Sequence, residues 1–161
     1  MSLLEDIKCN AVEELNMSNL PEDYFENAHQ FEEAMKENTS IKEVTLEGDF
    51  LVCLKPDDRA IIVSSLGRLP NLEKVVLKDS RLLIGICIAN LVKNSPKLND
   101  LRMLDCTLQG VPDDFDKFKT ALSENQSMKS LHLEGSFAPN DDVKLDTVLE
   151  GLKELSMEVM V

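Results

Sequence analysis

The sequence predicts an α/β fold: a right-handed solenoid, a horseshoe segment of about six strand–helix repeats with a parallel concave sheet and helices on the convex side. Three observations predict it. Leu98, Leu101, Met103, Cys106 and Leu108 spell L-x-x-L-x-L-x-x-C-x-L, a skeleton whose inner positions alternate with polar ones as a half-buried strand requires. Its first three apolar positions return as Val12/Leu15/Met17, Ile41/Val44/Leu46, Leu72/Val75/Leu77, Met128/Leu131/Leu133 and Leu152/Leu155/Met157, at steps of 29, 31, 26, 30 and 24 residues. Amphipathic stretches separate the copies, and parallel strands need such crossovers.

Taken in order, residues 1–11 read as an N-terminal cap, with Leu3, Leu4 and Ile7 on one face of a short helix. Residues 12–161 read as the repeats of the same single domain, spanning 1–161. Phe25, Ala28, Phe31 and Met35 make the first long helical face; Ile62 and Leu66 make the second. Leu82 to Val92 is an eleven-residue apolar run, too short for a membrane span, and reads as a helix covered on both sides. Phe115, Phe118 and Leu122 make a further face, as do Leu145, Val148, Leu149 and Leu152.

Helix starts are marked by Pro21-Glu22-Asp23, Pro56-Asp57-Asp58, Pro112-Asp113-Asp114 and Asn140-Asp141-Asp142. Proline suits a first turn, and carboxylates face the positive end of the helix dipole. The acids at Asp113, Asp114 and Asp116 read as capping rather than calcium binding, because the alternating oxygen ligands, the glycine turn and the distal glutamate of a calcium loop are missing. Helices end at Lys36-Glu37-Asn38-Thr39-Ser40, Ser123-Glu124-Asn125-Gln126-Ser127 and Lys93-Asn94-Ser95-Pro96, each leading straight into the next strand. The last residues, Leu155 to Val161, read as an edge strand, which predicts continuation in a longer chain, self-association through that edge, or a stretch that turns back and packs on itself.

Composition narrows the partners. Thirty acidic residues against seventeen basic ones leave a formal charge of −13 with no basic stripe, which argues against nucleic acid and anionic membrane and for a protein partner. Four dispersed cysteines (Cys9, Cys53, Cys87, Cys106) without a C-x-x-C pair or a secretory signal read as reduced thiols of a cytosolic or nuclear protein, and the expected location is cytoplasmic. No cofactor or metal motif is present in the sequence, and the six glycines form no phosphate loop.

Period-two alternation then names the solvent-facing strand positions. They are Glu14, Asn16 and Ser18; Glu43, Thr45 and Glu47; Lys74, Val76 and Lys78; Asp100, Arg102 and Leu104; Ser130, His132 and Glu134; and Glu154, Ser156 and Glu158. The candidate partner-binding set on the concave face is Glu14, Asn16, Glu43, Thr45, Lys74, Val76, Lys78, Asp100, Arg102, His132, Glu134 and Glu154. Lys74, Lys78 and Arg102 form a positive middle between acidic flanks, a pattern that sets register with a charged protein partner. Catalysis finds no constellation: His29 falls on an outer helix face and His132 on the sheet, and no nucleophile is placed beside either.

The long repeats resemble the ribonuclease-inhibitor-like class of leucine-rich repeat proteins and, within it, the C-terminal domain of tropomodulin. The resemblance rests on Leu3-Leu4-Glu5-Asp6 ahead of Val12-Glu13-Glu14-Leu15-Asn16-Met17, on Phe31 through Lys42 (FEEAMKENTSIK), and on Leu122-Ser123-Glu124-Asn125-Gln126-Ser127-Met128. It implies a non-enzymatic, intracellular interaction module and, for tropomodulin in particular, contact with actin at filament ends. A regulatory subunit or inhibitor of an enzyme is a further function such long repeats imply. No functional residue is transferred from the resemblance.

Overall fold

The alternation that defines the strands is realised as a parallel sheet in the computed structural model, which describes residues 3–17, 28–47, 56–78, 83–105, 108–109, 112–125, 127–134 and 158–160. Helix α1 (Leu3–Lys8) leads into β1 (Glu14–Asn16), and α2 (Ala28–Glu37) leads into β2 (Glu43–Glu47). Helix α3 (Pro56–Ser65) continues as one 3-10 turn (Leu66–Arg68) before β3 (Lys74–Lys78). A short strand β4 (Leu83–Ile84) precedes α4 (Gly85–Asn94) and β5 (Asp100–Leu104). Strand β6 (Leu108–Gln109), α5 (Pro112–Glu124), β7 (Ser130–Glu134) and β8 (Glu158–Met160) follow. Strands β1, β2, β3, β5, β7 and β8 form one six-stranded sheet in that order, and β4 pairs with β6 in a second, two-stranded one.

Every pairing is parallel, and the register follows the repeat skeleton. Leu15, Val44, Val75, Leu101 and Leu131 stand in one row, and Leu46, Leu77, Met103 and Leu133 in another. The residues of both rows up to Leu131 and Met103 point inward because side chains alternate across a strand. The described inner residues (Leu15, Val44, Leu46, Val75, Leu77, Leu101, Met103, Leu131) lie in one hydrophobic cluster with Phe31, Met35, Ile62, Ile88, Leu91, Val92, Phe118 and Leu122 from the helices. Each such side chain removed from water contributes on the order of 1.5–3 kcal/mol.

Helix chemistry explains the other layer. In α2, Phe31, Ala34 and Met35 are buried at helical spacing, with Asn38 buried just past its end, while Lys36 on the exposed face reaches Glu33 at 3.0 Å and Glu32 at 3.9 Å. Pro56 and Pro112 are the first residues of α3 and α5, where a missing N–H costs nothing. Helix α4 packs between α3 and α5, as its apolar sequence predicts, although Asn90, Lys93 and Asn94 remain exposed. The buried hydroxyls of Ser65 and Ser95 donate back to the carbonyls of Ile62 and Leu91, both at 2.7 Å. Helix α1 ends on Asn10, whose φ of 60° is a left-handed cap that asparagine tolerates. Among the described residues no helix is long and apolar enough to cross a membrane.

Two expectations are corrected. The Leu82–Val92 stretch is not one helix: Leu83 and Ile84 pair in parallel with Leu108 and Gln109, and the helix starts at Gly85. Apolarity all round reads equally as a buried strand, and the run contained both. The last strand of the sheet is also displaced. Leu131 pairs with Val159, not Leu155, so the final step is 28 residues, in keeping with the others, rather than 24. Leu152, Leu155 and Met157 imitate the skeleton in the sequence, whereas the observed pairing runs through Glu158, Val159 and Met160. The other predicted features at Pro21–Phe25, Cys53, Cys106 and Asn140–Leu152 lie outside the described residues, as does Ser18.

Candidate functional site

The face of the sheet turned away from the helices is built by the residues between the inward rows. One outer row runs Glu14, Glu43, Lys74, Asp100, Ser130 and Glu158 across the six strands. The next runs Asn16, Thr45, Val76, Arg102, His132 and Met160; a third runs Glu47, Lys78, Leu104 and Glu134. Eleven of the twelve candidate residues are therefore brought onto one registered surface, from Glu14 and Asn16 on β1 to His132 and Glu134 on β7. Glu154 lies outside the described residues, and the position expected for it, opposite Ser130, is held by Glu158. Met160 likewise stands where Ser156 was expected, beside His132.

The charges on this face are partly matched within it. Lys74 Nζ lies 3.5 Å from the carboxylate of its cross-strand neighbour Glu43. Arg102 folds back along its own strand to Asp100, with Nη2 3.2 Å from Oδ2 and Nε 3.3 Å from both carboxylate oxygens. The positive middle read from the sequence is thus two ion-paired cations plus Lys78, which is exposed and registered beside Glu47. Glu14 and Glu43 stand directly opposite one another, a like-charge pair that Lys74 offsets from the far side.

Val76 departs from the sequence expectation. It belongs to the outer face, yet it is only 7% exposed and lies outside the hydrophobic core cluster. Its register neighbour Arg102 and its strand neighbours, Lys74 and Lys78, are all longer, so their stems screen a short side chain between them. The outer face consequently offers polar and charged tips, with little exposed apolar area at its centre.

Elsewhere the structure adds little to the chemistry. His29 is exposed on α2, as expected. Cys9 is an exposed free thiol whose Sγ donates to the carbonyl of Glu5 at 2.7 Å. Among the described residues no three His, Cys, Asp or Glu side chains gather as a metal site would require.

What the sequence reading passed over is a set of polar bridges between repeats. Asn38 Nδ2 donates to the carbonyl of Ile7 at 2.7 Å, while its Oδ1 accepts from the backbone N–H groups of Ser40 (2.9 Å) and Ile41 (2.8 Å). Asn125 repeats the device: Nδ2 donates to the carbonyl of Val92 at 2.8 Å, and Oδ1 accepts from Ser127 (2.9 Å) and Met128 (3.0 Å). A second chain runs along the loops before the strands, from Asn10 to Thr39, Asn71 and Lys97. The recurrence of Asn-x-Ser three residues before Ile41 and before Met128 was the available signal.

No family model and no curated protein sequence matches the chain. Among solved structures, the tropomodulin C-terminal domain from Caenorhabditis elegans aligns with a TM-score of 0.67 at 12% identity, covering 95% of this chain and 88% of that one. Leiomodin-1 actin-binding site 2 aligns with a TM-score of 0.66 at 18% identity, covering 95% and 84% respectively. The fold is therefore similar to that of the tropomodulin C-terminal domain, as the residue-level resemblance implies.

Proposed function

We infer that this chain is a non-enzymatic protein-interaction scaffold: a right-handed solenoid of about six strand–helix units, forming one domain, that receives a cytoplasmic partner protein on the outer face of its sheet. The observation that carries this reading is the in-register assembly of polar and charged residues from Glu14 to Glu134 across five neighbouring strands. A surface of alternating charge, nearly without exposed apolar centre, suits recognition in which complementary charges set register and on-rate. The binding positions are the eleven registered candidates, with Glu158 taking the place of Glu154.

A second reading is an actin-binding domain. It is favoured by one specific observation: a solved structure of this fold, leiomodin-1 actin-binding site 2, is by its own name an actin-binding element. Co-sedimentation with filamentous actin, together with a pointed-end elongation assay, separates the two. Dose-dependent capping or pelleting establishes the second reading. Its absence, with retention of another cytosolic protein on immobilised chain and loss of that retention when Lys74, Lys78 and Arg102 are neutralised, establishes the first. Equal retention by wild type and the triple variant rejects the sheet face as the site.

A further inference from the structure

On the helical side, α4 and α5 lie next to one another and leave a groove of about 410 Å³ between them, within the usual size range of ligand clefts. Its floor is Ala89 and Ala121, which are 3% and 4% exposed. Its walls are Asn90 and Lys93 from α4, and Lys117, Thr120 and Glu124 from α5, all exposed. The groove exists because both floor side chains stop at Cβ, so neither helix fills the space that larger residues fill elsewhere in the layer.

Its electrostatics differ from those of the chain as a whole. Among the described residues, Lys93, Lys117 and Glu124 form no ion pair, unlike the paired Lys36, Lys74 and Arg102. Two unpaired ammonium groups from opposite walls thus face one carboxylate, in a chain whose formal charge is −13. Two lysines are too few for a nucleic-acid track or an anionic membrane, which need a basic stripe or a cluster. They are enough to fix the register of a carboxylate-bearing peptide.

We propose that this groove docks an acidic segment of a partner protein. One apolar side chain of the segment rests on Ala89 and Ala121, and carboxylates on either side of it meet Lys93 and Lys117. Asn90 and Thr120 present an amide and a hydroxyl to the segment's backbone. This site is separate from the sheet face and stands or falls independently of it.

The test is fluorescence anisotropy on the full chain with a labelled synthetic peptide carrying a leucine flanked by glutamates, alongside the same peptide with glutamine or lysine in their place. The glutamate peptide binds and the other two bind at least about tenfold more weakly. Lys93→Glu with Lys117→Glu weakens the glutamate peptide by a similar factor. Asn90→Trp, at an exposed rim position, blocks the groove without changing charge and also weakens it, while thermal melts show both variants folded. Lys74→Gln with Arg102→Gln, on the sheet face, leaves the affinity unchanged. No binding of the glutamate peptide, equal binding of the glutamine peptide, indifference to both groove variants, or loss with the sheet-face variant each overturns the proposal.

Discussion

Asn38 and Ile7 are thirty-one residues apart in sequence and 2.7 Å apart in space, joined by a hydrogen bond from the Asn38 carboxamide to the Ile7 carbonyl. The same carboxamide accepts from the N–H groups of Ser40 and Ile41, and Asn38 is completely buried. One side chain therefore satisfies three backbone groups where helix α2 ends, and ties the second unit to the cap helix.

Asn38→Ala is expected to leave those groups without partners and to lower stability by about 3 kcal/mol. Asn38→Asp keeps both acceptor contacts but loses the donor, and sets a carboxylate against the Ile7 carbonyl; it is expected to cost at least as much near neutral pH. Urea denaturation followed by circular dichroism reads both. A loss under about 1 kcal/mol for Asn38→Ala would show that water replaces the carboxamide.

Asn125 makes the equivalent contacts to Val92, Ser127 and Met128 but is only half-buried, so solvent can reach part of what its removal exposes. Asn125→Ala is expected to cost about 1–2 kcal/mol. The two sites share no partner, so the double variant is expected to show the sum to within about 0.5 kcal/mol. Marked non-additivity in the same urea titrations would mean that the units unfold in separate steps.

These asparagines mark where the sequence was legible and where it was not. Val44, Leu101 and Leu131 announced their register because each sits in an apolar–polar alternation that only one pairing can bury. That logic needs apolar inner positions, so it slipped at the last strand, where Leu155 offers a better skeleton than the observed Val159. Val76 shows the second limit. Alternation assigns a residue to a face, but whether the face is open depends on the lengths of neighbours such as Arg102 and Lys78, which periodicity does not encode. Asn38 and Asn125 show the third, because their partners Ile7 and Val92 belong to earlier units and become neighbours only when the units stack.

Stacking also fixes Gly67. A Cβ built there would lie 3.1 Å from Asn94 Cβ and 3.7 Å from the Leu91 backbone, so the 3-10 turn after α3 approaches α4 closely. The nearer atom is the root of a side chain and cannot swing away. Gly67→Ala is expected to destabilise by about 1 kcal/mol, the crowding outweighing the smaller entropy of the unfolded chain. Asn94→Gly removes the opposing Cβ, so the double variant is expected to recover part of that loss relative to Asn94→Gly alone. A double-mutant cycle with no coupling would place the strain elsewhere.

The outer face allows binding and stability to be separated, provided the register is respected. Lys74 stands between Glu43 and Asp100, and Glu14 lies beyond Glu43 in the same row. Reversing Lys74, Lys78 and Arg102 to glutamate would set carboxylates side by side across four strands, so part of any effect on binding would be loss of fold. Glutamine at all three positions removes the positive charge without building that row. Its cost is confined to the Lys74–Glu43 and Arg102–Asp100 pairs, which are partly exposed and worth about 0.2–1 kcal/mol each. The glutamine variant is therefore expected to melt within a few degrees of wild type while losing most partner retention. The reversed variant is expected to melt lower, with the difference between the two shrinking in high salt as like charges are screened. Identical melting of the two variants at low salt would show that these side chains do not feel one another across the strands.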